Sequence, residues 1–228
     1  MKAVILAAGM GTRLFSLMPK PLISLKNEKT ILGFQVERLS EIIGLHNIII
    51  VVGYKHHIIM EKFPKLTYIY NHEYTQTNTS KSLLYALNKI QDEDVLWING
   101  DVYFDKEILK LLLNCEDSCC LVDNKKCGEE EIKYNLNEDG YIKELSKKVK
   151  EVKGEALGIN IIRKKELELF KKELEKVEKK DYFEKALENL ALTNKLKLKP
   201  VNVDSLFCQE IDFPEDLKKV KEYISKNE

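Results

Sequence analysis

The N-terminal 22 residues contain the groups best suited to bind a polyphosphate. The apolar stretch Lys2–Leu6 predicts a buried parallel strand, and Gly9 and Gly11 follow it. Glycine lets the chain turn sharply, so that backbone N–H groups can face an anion. Arg13 and Lys20, seven residues apart, add positive charge. A Gly-x-Gly pair alone also fits any tight turn between a strand and a helix, but the two cations and the Pro-Lys-Pro sequence favour a nucleotide site.

Asn99-Gly100-Asp101 is the second segment that could carry chemistry, because it directly follows the apolar stretch Val95–Ile98. A carboxylate at the end of a buried strand points into a site at the edge of the sheet. A triphosphate needs a divalent cation to neutralise charge during attack at its α-phosphorus, and Mg²⁺ prefers oxygen ligands. Asn-Gly-Asp is also a favourable turn sequence, so the segment alone leaves both interpretations open.

A further pair of carboxylates lies near the C-terminus, at Glu210 and Asp212. Two residues apart on an extended strand, both side chains face the same way and can act together. Pro214 then predicts the start of a helix, with Glu215 and Asp216 as charges of its first turn. The alternative for Glu210 and Asp212 is a solvated strand end.

These segments together resemble the nucleotidyltransferase family that activates phosphorylated small molecules. Its signature reads Leu-x-x-Gly-x-Gly-Thr/Ser-Arg followed by Pro-Lys, and the matching positions are Leu6, Ala7, Ala8, Gly9, Gly11, Thr12, Arg13, Pro19, Lys20 and Pro21. The resemblance implies that the residues from Leu6 to Arg13 and Gly100 bind the nucleotide, with Arg13 and Lys20 catalytic. It also implies that Asp101 and Glu210, with Asp212 as a further candidate, hold Mg²⁺. Neither a Walker A loop nor a dinucleotide fingerprint is present.

The segment Tyr70–Leu83 is similar to a stretch of bacterial choline-phosphate cytidylyltransferases and related enzymes, through Tyr70, Asn71, Tyr74, Asn78, Ser82 and Leu83. Asn78 offers a donor and an acceptor, as binding to the edge of a cytosine requires. Ser80 or Ser82 can cap the following helix, whose free N–H groups would face the nucleotide. We therefore expect Asn78, Ser80 and Ser82 to bind the nucleotide; the alternative is that they only cap.

The acceptor is less well specified. A trimethylammonium group would need an aromatic cage, for which the candidates are Tyr134, Tyr141, Tyr182 and Phe183. An acidic or amide-bearing acceptor would instead favour Lys81, Asn135 or Asn160. The four histidines lack ligand spacing, and His56-His57 predicts the start of a helix.

Alternating strand and helix patterns predict an α/β fold with a Rossmann-like, mostly parallel sheet flanked by helices. The strands include Ile48–Val52, and the helices include Ser80–Ile90 and Lys164–Lys179. We expect one domain over residues 1–228, with a nucleotide-binding half up to about residue 114 and an acceptor-binding half beyond it. Residues from about 115 to 200 are expected to form a small β/α lid over the acceptor.

Composition limits the classes of partner. Lysine plus arginine and aspartate plus glutamate number 37 each, so the formal net charge is zero and no strong field attracts nucleic acid or an anionic membrane. No apolar stretch reaches the length of a transmembrane helix, so we expect a cytoplasmic protein, monomeric or homodimeric. The five cysteines, at 115, 119, 120, 127 and 208, lack the usual zinc spacing and are expected to be reduced structural thiols.

Together these features favour a Mg²⁺-dependent cytidylyltransferase that uses CTP and a small phosphorylated acceptor, with release of pyrophosphate. The acceptor would be phosphocholine, another phospho-amino-alcohol, a phosphonate or a phosphorylated amide, for synthesis of surface polysaccharide or lipid precursors. The alternatives are a nucleotidyltransferase for sugar 1-phosphates or inositol 1-phosphate, and a non-catalytic nucleotide-binding module.

Overall fold

The central element is a mixed β-sheet with helices on both faces. The computed structural model describes residues 1–11, 18–125 and 127–227. The strands are β1 (Lys2–Ala7), β2 (Ser24–Lys26), β3 (Lys29–Thr30), β4 (Ile48–Val52), β5 (Thr67–Tyr70), β6 (Val95–Asn99), β7 (Val102–Phe104), β8 (Ser118–Asp123), β9 (Lys133–Leu136), β10 (Ile142–Ser146), β11 (Gly154–Ile162), β12 (Leu198–Asn202) and β13 (Cys208–Glu210). The α-helices are α1 (Ile31–Ile43), α2 (His56–Lys62), α3 (Thr79–Leu87), α4 (Glu107–Leu113), α5 (Lys164–Lys176), α6 (Phe183–Leu192) and α7 (Pro214–Asn227).

Nine strands form the main sheet, and β1 lies in its parallel part. Strands β5, β4, β1 and β6 are adjacent and parallel. The antiparallel strand β11 pairs with β6, and it also pairs with β8 and β9. Strand β12 pairs in parallel with β8. The chain therefore runs from β1 to β4 on one side and returns to β6 on the other, which creates a reversal of strand order beside β1.

Alternation along β1 divides the apolar core between the two faces of the sheet. Val4 and Leu6 face helices α3, α5 and α6, whereas Ala3, Ile5 and Ala7 face α1, α2 and α4. The β1 strand is thus apolar on both faces, as expected for a parallel strand covered on both sides. A smaller cluster joins α7 to β2 and α1.

The α/β prediction is confirmed, and the strand pairing shows how the segment expected to form the lid joins the main sheet. Strands β8, β11 and β12 continue the main sheet, because β11 pairs directly with β6. The apolar stretches of residues 115 to 200 do not reveal whether they pair with each other or extend the existing sheet. The hairpin β9–β10 lies at the far end of that sheet and packs against α6.

Side-chain hydrogen bonds, one local and others distant in sequence, stabilise the ends of α1 and α5. Helix α1 has Thr30 as its N-cap, with Oγ1 accepting from the backbone N–H of Gly33 at 3.1 Å. Helix α5 ends at Lys176, before the predicted Lys179. Its last turn is bound by Lys81, whose Nζ donates to the carbonyl oxygens of Leu174 and Val177, both at 2.7 Å. Lys81 therefore stabilises a helix C-terminus.

The cysteines carry free thiols, and Cys119 and Cys120 lie in the core. Burial raises the pKa values of both thiols. A buried thiol with a raised pKa stays protonated and behaves as a small apolar side chain. Among the described residues, no helix combines the length and the apolar character needed to cross a bilayer.

Candidate active site

A cavity of about 330 Å³ opens at the carboxyl ends of β1 and β6, beside the reversal of strand order. It is lined by Leu6, Ala7, Gly9, Gly11, Lys20, Pro21, Asn78, Thr79, Asn99, Gly100, Asp101, Glu130, Ile132, Lys147, Ala156, Gly158, Tyr182, Glu184, Glu210 and Asp212. These residues come from the N-terminal segment, the start of α3, the end of β6, the segment 130–184 and the tail. The edge of a sheet at such a reversal is where α/β proteins bind their ligands.

Most of the residues predicted from the N-terminal signature lie on this cavity. Leu6, Ala7, Gly9, Gly11 and Lys20 line it together. Ala8 is buried, is not among the lining residues, and its carbonyl oxygen accepts a hydrogen bond from Tyr54 N–H at 3.1 Å. Thr12 and Arg13 lie outside the described residues, so their predicted roles remain predictions.

Two glycines allow the backbone to approach closely here. Gly11 has φ +59°, and a Cβ atom there would lie 2.7 Å from the Cβ of Lys20. The backbone N–H of Gly100 donates to the carbonyl oxygen of Leu6 at 2.9 Å. A Cβ atom at Gly100 would lie 2.7 Å from that same oxygen. A larger residue at Gly11 would therefore collide with the Lys20 side chain, and one at Gly100 would collide with the backbone near the end of β1.

The close approach at Gly100 leads to a prediction on stability. Gly100→Ala is expected to lower the free energy of unfolding by about 1–3 kcal/mol, because backbone must move to admit the methyl group. Gly9→Ala is the matched control, since a Cβ atom there meets nothing within 4 Å. Urea unfolding of both variants measures the difference. Equal stability of the two variants would contradict the packing described here.

One lysine and three carboxylates form the polar centre of the cavity. Lys20 Nζ donates to Asp101 Oδ2 at 2.7 Å and to Asp212 Oδ1 at 2.6 Å. Glu210 joins them, so that ligand oxygens of the three acidic residues lie within 4.8 Å of one another. We call Lys20, Asp101, Glu210 and Asp212 the acidic cluster with its lysine. In the described part of the chain, Asp101, Glu210 and Asp212 are the one group of three or more metal-ligating side chains whose ligand atoms lie within that distance.

Strand pairing brings the tail to the end of β6. Strand β13 pairs antiparallel with β7, with Glu210 opposite Val102. The backbone N–H of Ile211 donates to the carbonyl oxygen of Asp101 at 3.0 Å. The pairing of β7 with β13 therefore brings Glu210, and Asp212 just beyond the end of β13, beside Asp101, which directly precedes β7.

The charges in the cluster shift the pKa values of its members. Burial disfavours the ammonium form of Lys20, but Asp101 and then Asp212 outweigh it and hold the pKa of Lys20 above its ordinary value. Burial, followed by repulsion from Asp101 and Asp212, raises the pKa of Glu210 well above its ordinary value. The cluster thus contains more acidic groups than its one lysine can neutralise.

The donor set suits a divalent cation. Oδ1 of Asp101 is buried and has no hydrogen-bond partner among the described residues. Carboxylate oxygens from three side chains are the ligand type that Mg²⁺ prefers. Asp101, Glu210 and Asp212 are therefore the residues that would hold such an ion, alongside the phosphates of a nucleotide.

The residues predicted from the Tyr70–Leu83 segment have structural contacts. Asn78 lines the cavity, but its Oδ1 accepts from Thr79 N–H at 2.8 Å as the N-cap of α3, and its Nδ2 donates to the carbonyl oxygen of Lys180 at 3.3 Å. Ser80 is fully buried and donates to the carbonyl oxygen of Asp181 at 2.7 Å. Ser82 accepts from Asn71 Nδ2 at 2.9 Å. Neither serine lines the cavity, so capping and loop support describe their contacts.

Ser80 provides a direct test of this correction. Ser80→Ala is expected to lower the free energy of unfolding by about 1–3 kcal/mol, because the acceptor on Asp181 is left without its partner. The KM for the nucleotide is expected to change less than about twofold, since the hydroxyl is directed away from the cavity. Thermal unfolding and steady-state kinetics on the same preparation measure both quantities. A large rise in KM with unchanged stability would restore the nucleotide-binding role.

Of the residues considered for the acceptor, Tyr182 is the one that lines the cavity. Most of the others have partners elsewhere: Tyr134 donates to Asn124, Tyr141 to Asp117, Asn135 to Glu144 and Lys81 to the end of α5, while Phe183 packs edge-on against Trp97. Asn160 is buried within β11, and its amide atoms have no hydrogen-bond partner among the described residues. Sequence pattern could not separate these positions, because aromatic residues occur equally in cores and in pockets.

The sequence prediction missed the charged residues that line the cavity from the segment 130–184. Lys147 pairs with Glu130 at 3.0 Å, and its ammonium lies 5.7 Å from the centre of the Tyr182 ring. Glu184 lies in the first turn of α6 and is 6% exposed. Burial raises the pKa of Glu184 to about 7. A useful signal was available, because Glu184 follows Tyr182 and Phe183 at a helix start rather than within a run of charges.

Comparison with known proteins agrees with this geometry. A "Bifunctional protein GlmU" from Methanococcus maripaludis is 34% identical over 168 residues, which are 71% of this chain and 38% of that protein. The CTP:phosphoglutamine cytidylyltransferase of Campylobacter jejuni is 29% identical over 253 residues, 95% of this chain and 98% of that protein. The chain spans 38% to 56% of the length of the first curated relatives that it matches.

The fold is also found among solved structures. The inositol-1-phosphate CTP transferase from T. maritima superposes with a TM-score of 0.81 at 21% identity, covering 99% of this chain and 95% of that one. Residues 3–166 match the description "MobA-like NTP transferase domain". That match contains β1, the glycine-rich segment and the Asn99-Gly100-Asp101 segment. The chain therefore belongs to the MobA-like NTP transferase domain family, a family of nucleotidyltransferases.

Proposed function

We propose that this protein is a cytidylyltransferase, which moves CMP from CTP to a small phosphorylated acceptor and releases pyrophosphate. The observation that carries the proposal is the acidic cluster with its lysine at the carboxyl ends of β1 and β6, beside the glycine-rich segment. A nucleoside triphosphate needs cations that bind its phosphates and positive charge that neutralises the negative charge at the reacting phosphorus. Both requirements are met by groups in one cavity.

The reaction needs no proton transfer. An oxygen of the acceptor phosphate forms a bond to the α-phosphorus, and the bond from that phosphorus to the β-phosphate oxygen breaks. The bonding electrons leave with pyrophosphate. Since the acceptor phosphate is already ionised, catalysis consists of aligning two anions and neutralising their charge. This is consistent with a cavity that contains carboxylates and lysine, and with four histidines that have no place among its lining residues.

Lys20 is well placed to bind the phosphates that leave. It is 8% exposed and held by Asp101 and Asp212, so its ammonium is fixed before the nucleotide arrives. Asp101, Glu210 and Asp212 would hold Mg²⁺, which when bound neutralises charge on the reacting phosphates. Gly11 lets the glycine-rich segment lie against Lys20, and Gly100 lets the end of β6 lie against β1.

The preference for CTP is supported by relatives rather than by a contact to the base. The Campylobacter jejuni protein that matches over nearly its whole length is a CTP:phosphoglutamine cytidylyltransferase. The choline-phosphate cytidylyltransferase of Streptococcus pneumoniae is 34% identical over 116 residues. These relatives differ in acceptor but share the nucleotide that their names give, and both names place a phosphate on the acceptor.

Pyrophosphate release in Mg²⁺ tests the proposal across a grid of substrates. CTP, UTP, dTTP, GTP and ATP are each combined with phosphoethanolamine, a phosphorylated amide, phosphocholine, inositol 1-phosphate and glucose 1-phosphate. We expect release with CTP and a small phosphorylated acceptor. Release confined to UTP or dTTP with glucose 1-phosphate would replace the proposal by a sugar-phosphate nucleotidyltransferase.

A further inference from the structure

The buried carboxyl of Glu184 lies on the cavity wall without a complete set of hydrogen bonds. The residue is 6% exposed and lines the same cavity as the acidic cluster with its lysine. The backbone N–H of Glu184 donates a hydrogen bond to its own carboxyl group. Its Oε2 atom is buried and has no hydrogen-bond partner among the described residues. Leaving a carboxylate oxygen buried in this way costs free energy unless a partner arrives.

Nearby charged side chains do not supply that partner. Lys147 is the cation whose charge acts on Glu184, and its Nζ is bound to Glu130 Oε2 at 3.0 Å. Glu210 is the acidic neighbour across the cavity, and the charge of Glu184 acts on it in turn. A carboxyl that faces other carboxyl groups across a cavity favours a ligand that donates hydrogen bonds or carries positive charge.

The aromatic contribution at this end of the cavity is small. Tyr182 is the aromatic residue among the lining residues of the described chain, and its ring is 43% exposed. A trimethylammonium group has no N–H to donate and is bound through several aromatic faces. One exposed ring and one buried carboxyl oxygen therefore suit a ligand group that donates a hydrogen bond better than they suit a trimethylammonium group.

We propose that Glu184 determines acceptor specificity by binding an N–H donor, an ammonium or a carboxamide, on the organic part of the phosphorylated acceptor. This inference rests on the proposed function, since it assigns the acceptor end of the same cavity. The acceptor phosphate lies toward the acidic cluster with its lysine, and the N–H group satisfies Oε2 of Glu184. Glu184 and the acidic cluster with its lysine line one cavity of about 330 Å³, which favours a short acceptor.

The test compares acceptors that differ only at that position. Phosphoethanolamine carries an ammonium, a phosphorylated amide carries a carboxamide, phosphocholine carries a trimethylammonium and propyl phosphate carries neither charge nor donor. We expect kcat/KM with at least one N–H acceptor to exceed that with propyl phosphate by about 100-fold or more, because a site built for a donor rejects an analogue that lacks it.

Two variants then separate the two donors. Glu184→Gln removes the charge but keeps an acceptor oxygen, and Glu184→Met removes both at similar size. Loss of selectivity in both variants identifies an ammonium, whereas loss in Glu184→Met alone identifies a carboxamide. Glu188→Gln is the matched control, because Glu188 is a buried glutamate of the same helix whose oxygens are bound to Leu145 N–H and Lys185 Nζ. It is expected to keep the selectivity of the parent protein.

A readout without substrate tests the same assignment. Glu184→Met is expected to raise the Tm, because it removes a buried carboxyl oxygen that has no partner. A wild-type protein that uses propyl phosphate or phosphocholine as well as the N–H acceptors, or a Glu184→Met protein that keeps the selectivity, would overturn the inference. Failure of the proposed function is distinct, since CTP would then release no pyrophosphate with any of these acceptors.

Discussion

Replacing Asp101 by asparagine is expected to raise the activation free energy by about 2–4 kcal/mol, which lowers kcat/KM roughly 30- to 1,000-fold. Asp101 combines two observations that no other described residue shares. It binds Lys20 through Oδ2, and it presents a buried Oδ1 without a partner beside Glu210 and Asp212. Asparagine keeps the shape but removes the charge, so it tests the electrostatic role of the residue rather than its packing.

Glu215→Gln is the control for Asp101→Asn. It removes one acidic charge from the same region, but Glu215 is exposed in the first turn of α7. The Glu215→Gln variant is expected to have the kcat/KM of the parent protein. Steady-state kinetics at saturating Mg²⁺ measure both variants after their folding has been checked by circular dichroism. Near-normal turnover of folded Asp101→Asn protein would contradict the metal assignment.

Replacing Lys20 by methionine is the second change with a large expected effect, on activity and on the response to Mg²⁺. The substitution removes the ammonium between Asp101 and Asp212 and leaves the three carboxylates to repel one another. We expect the activation free energy to rise by about 2–4 kcal/mol and kcat/KM to fall accordingly, because the fixed ammonium that would bind the leaving phosphates is lost. Stability at neutral pH is expected to fall by about 1–3 kcal/mol, less than for a fully buried pair because Asp212 is 30% exposed.

The same substitution separates metal binding from catalysis. In the wild-type protein the lysine already neutralises part of the cluster and competes with a divalent cation. Without it, Mg²⁺ alone is expected to raise the Tm by more than it does in the wild-type protein. Lys20→Arg is the control, since it keeps the charge but alters its geometry. An absence of any effect of Mg²⁺ on the Tm of either protein would contradict the assignment of Asp101, Glu210 and Asp212.

The fold was predictable where local pattern and burial agree. The run Ile48–Val52 is apolar throughout, and it forms a strand with those bounds because both faces are covered. The end of β6 was equally clear, since Asn99-Gly100-Asp101 interrupts an apolar run. The place of β8 and β11 in the main sheet was not predicted, because pairing partners are set by tertiary packing and not by periodicity.

The site was predictable where the chemistry is carried by residues of unusual spacing. Lys20, Asp101 and the pair formed by Glu210 and Asp212 lie far apart in sequence and meet as expected. The structural contacts of Ser80 and Lys81 were not predicted, because their partners, Asp181 and the end of α5, are about 100 residues away and leave no local signal. Glu184 was missed because the chain has many charged residues, and its position after Tyr182 and Phe183 at a helix start was not used as a sign of burial.

The measurement that tests the central claim most directly follows the phosphates of CTP. The protein is incubated with Mg²⁺, an acceptor and CTP that is radiolabelled either at the α-phosphate or at the γ-phosphate. The account predicts that the α-label appears in a new product with the acceptor and the γ-label appears in pyrophosphate. An α-label that stays in CTP, or that appears as free CMP whatever acceptor is present, would contradict it.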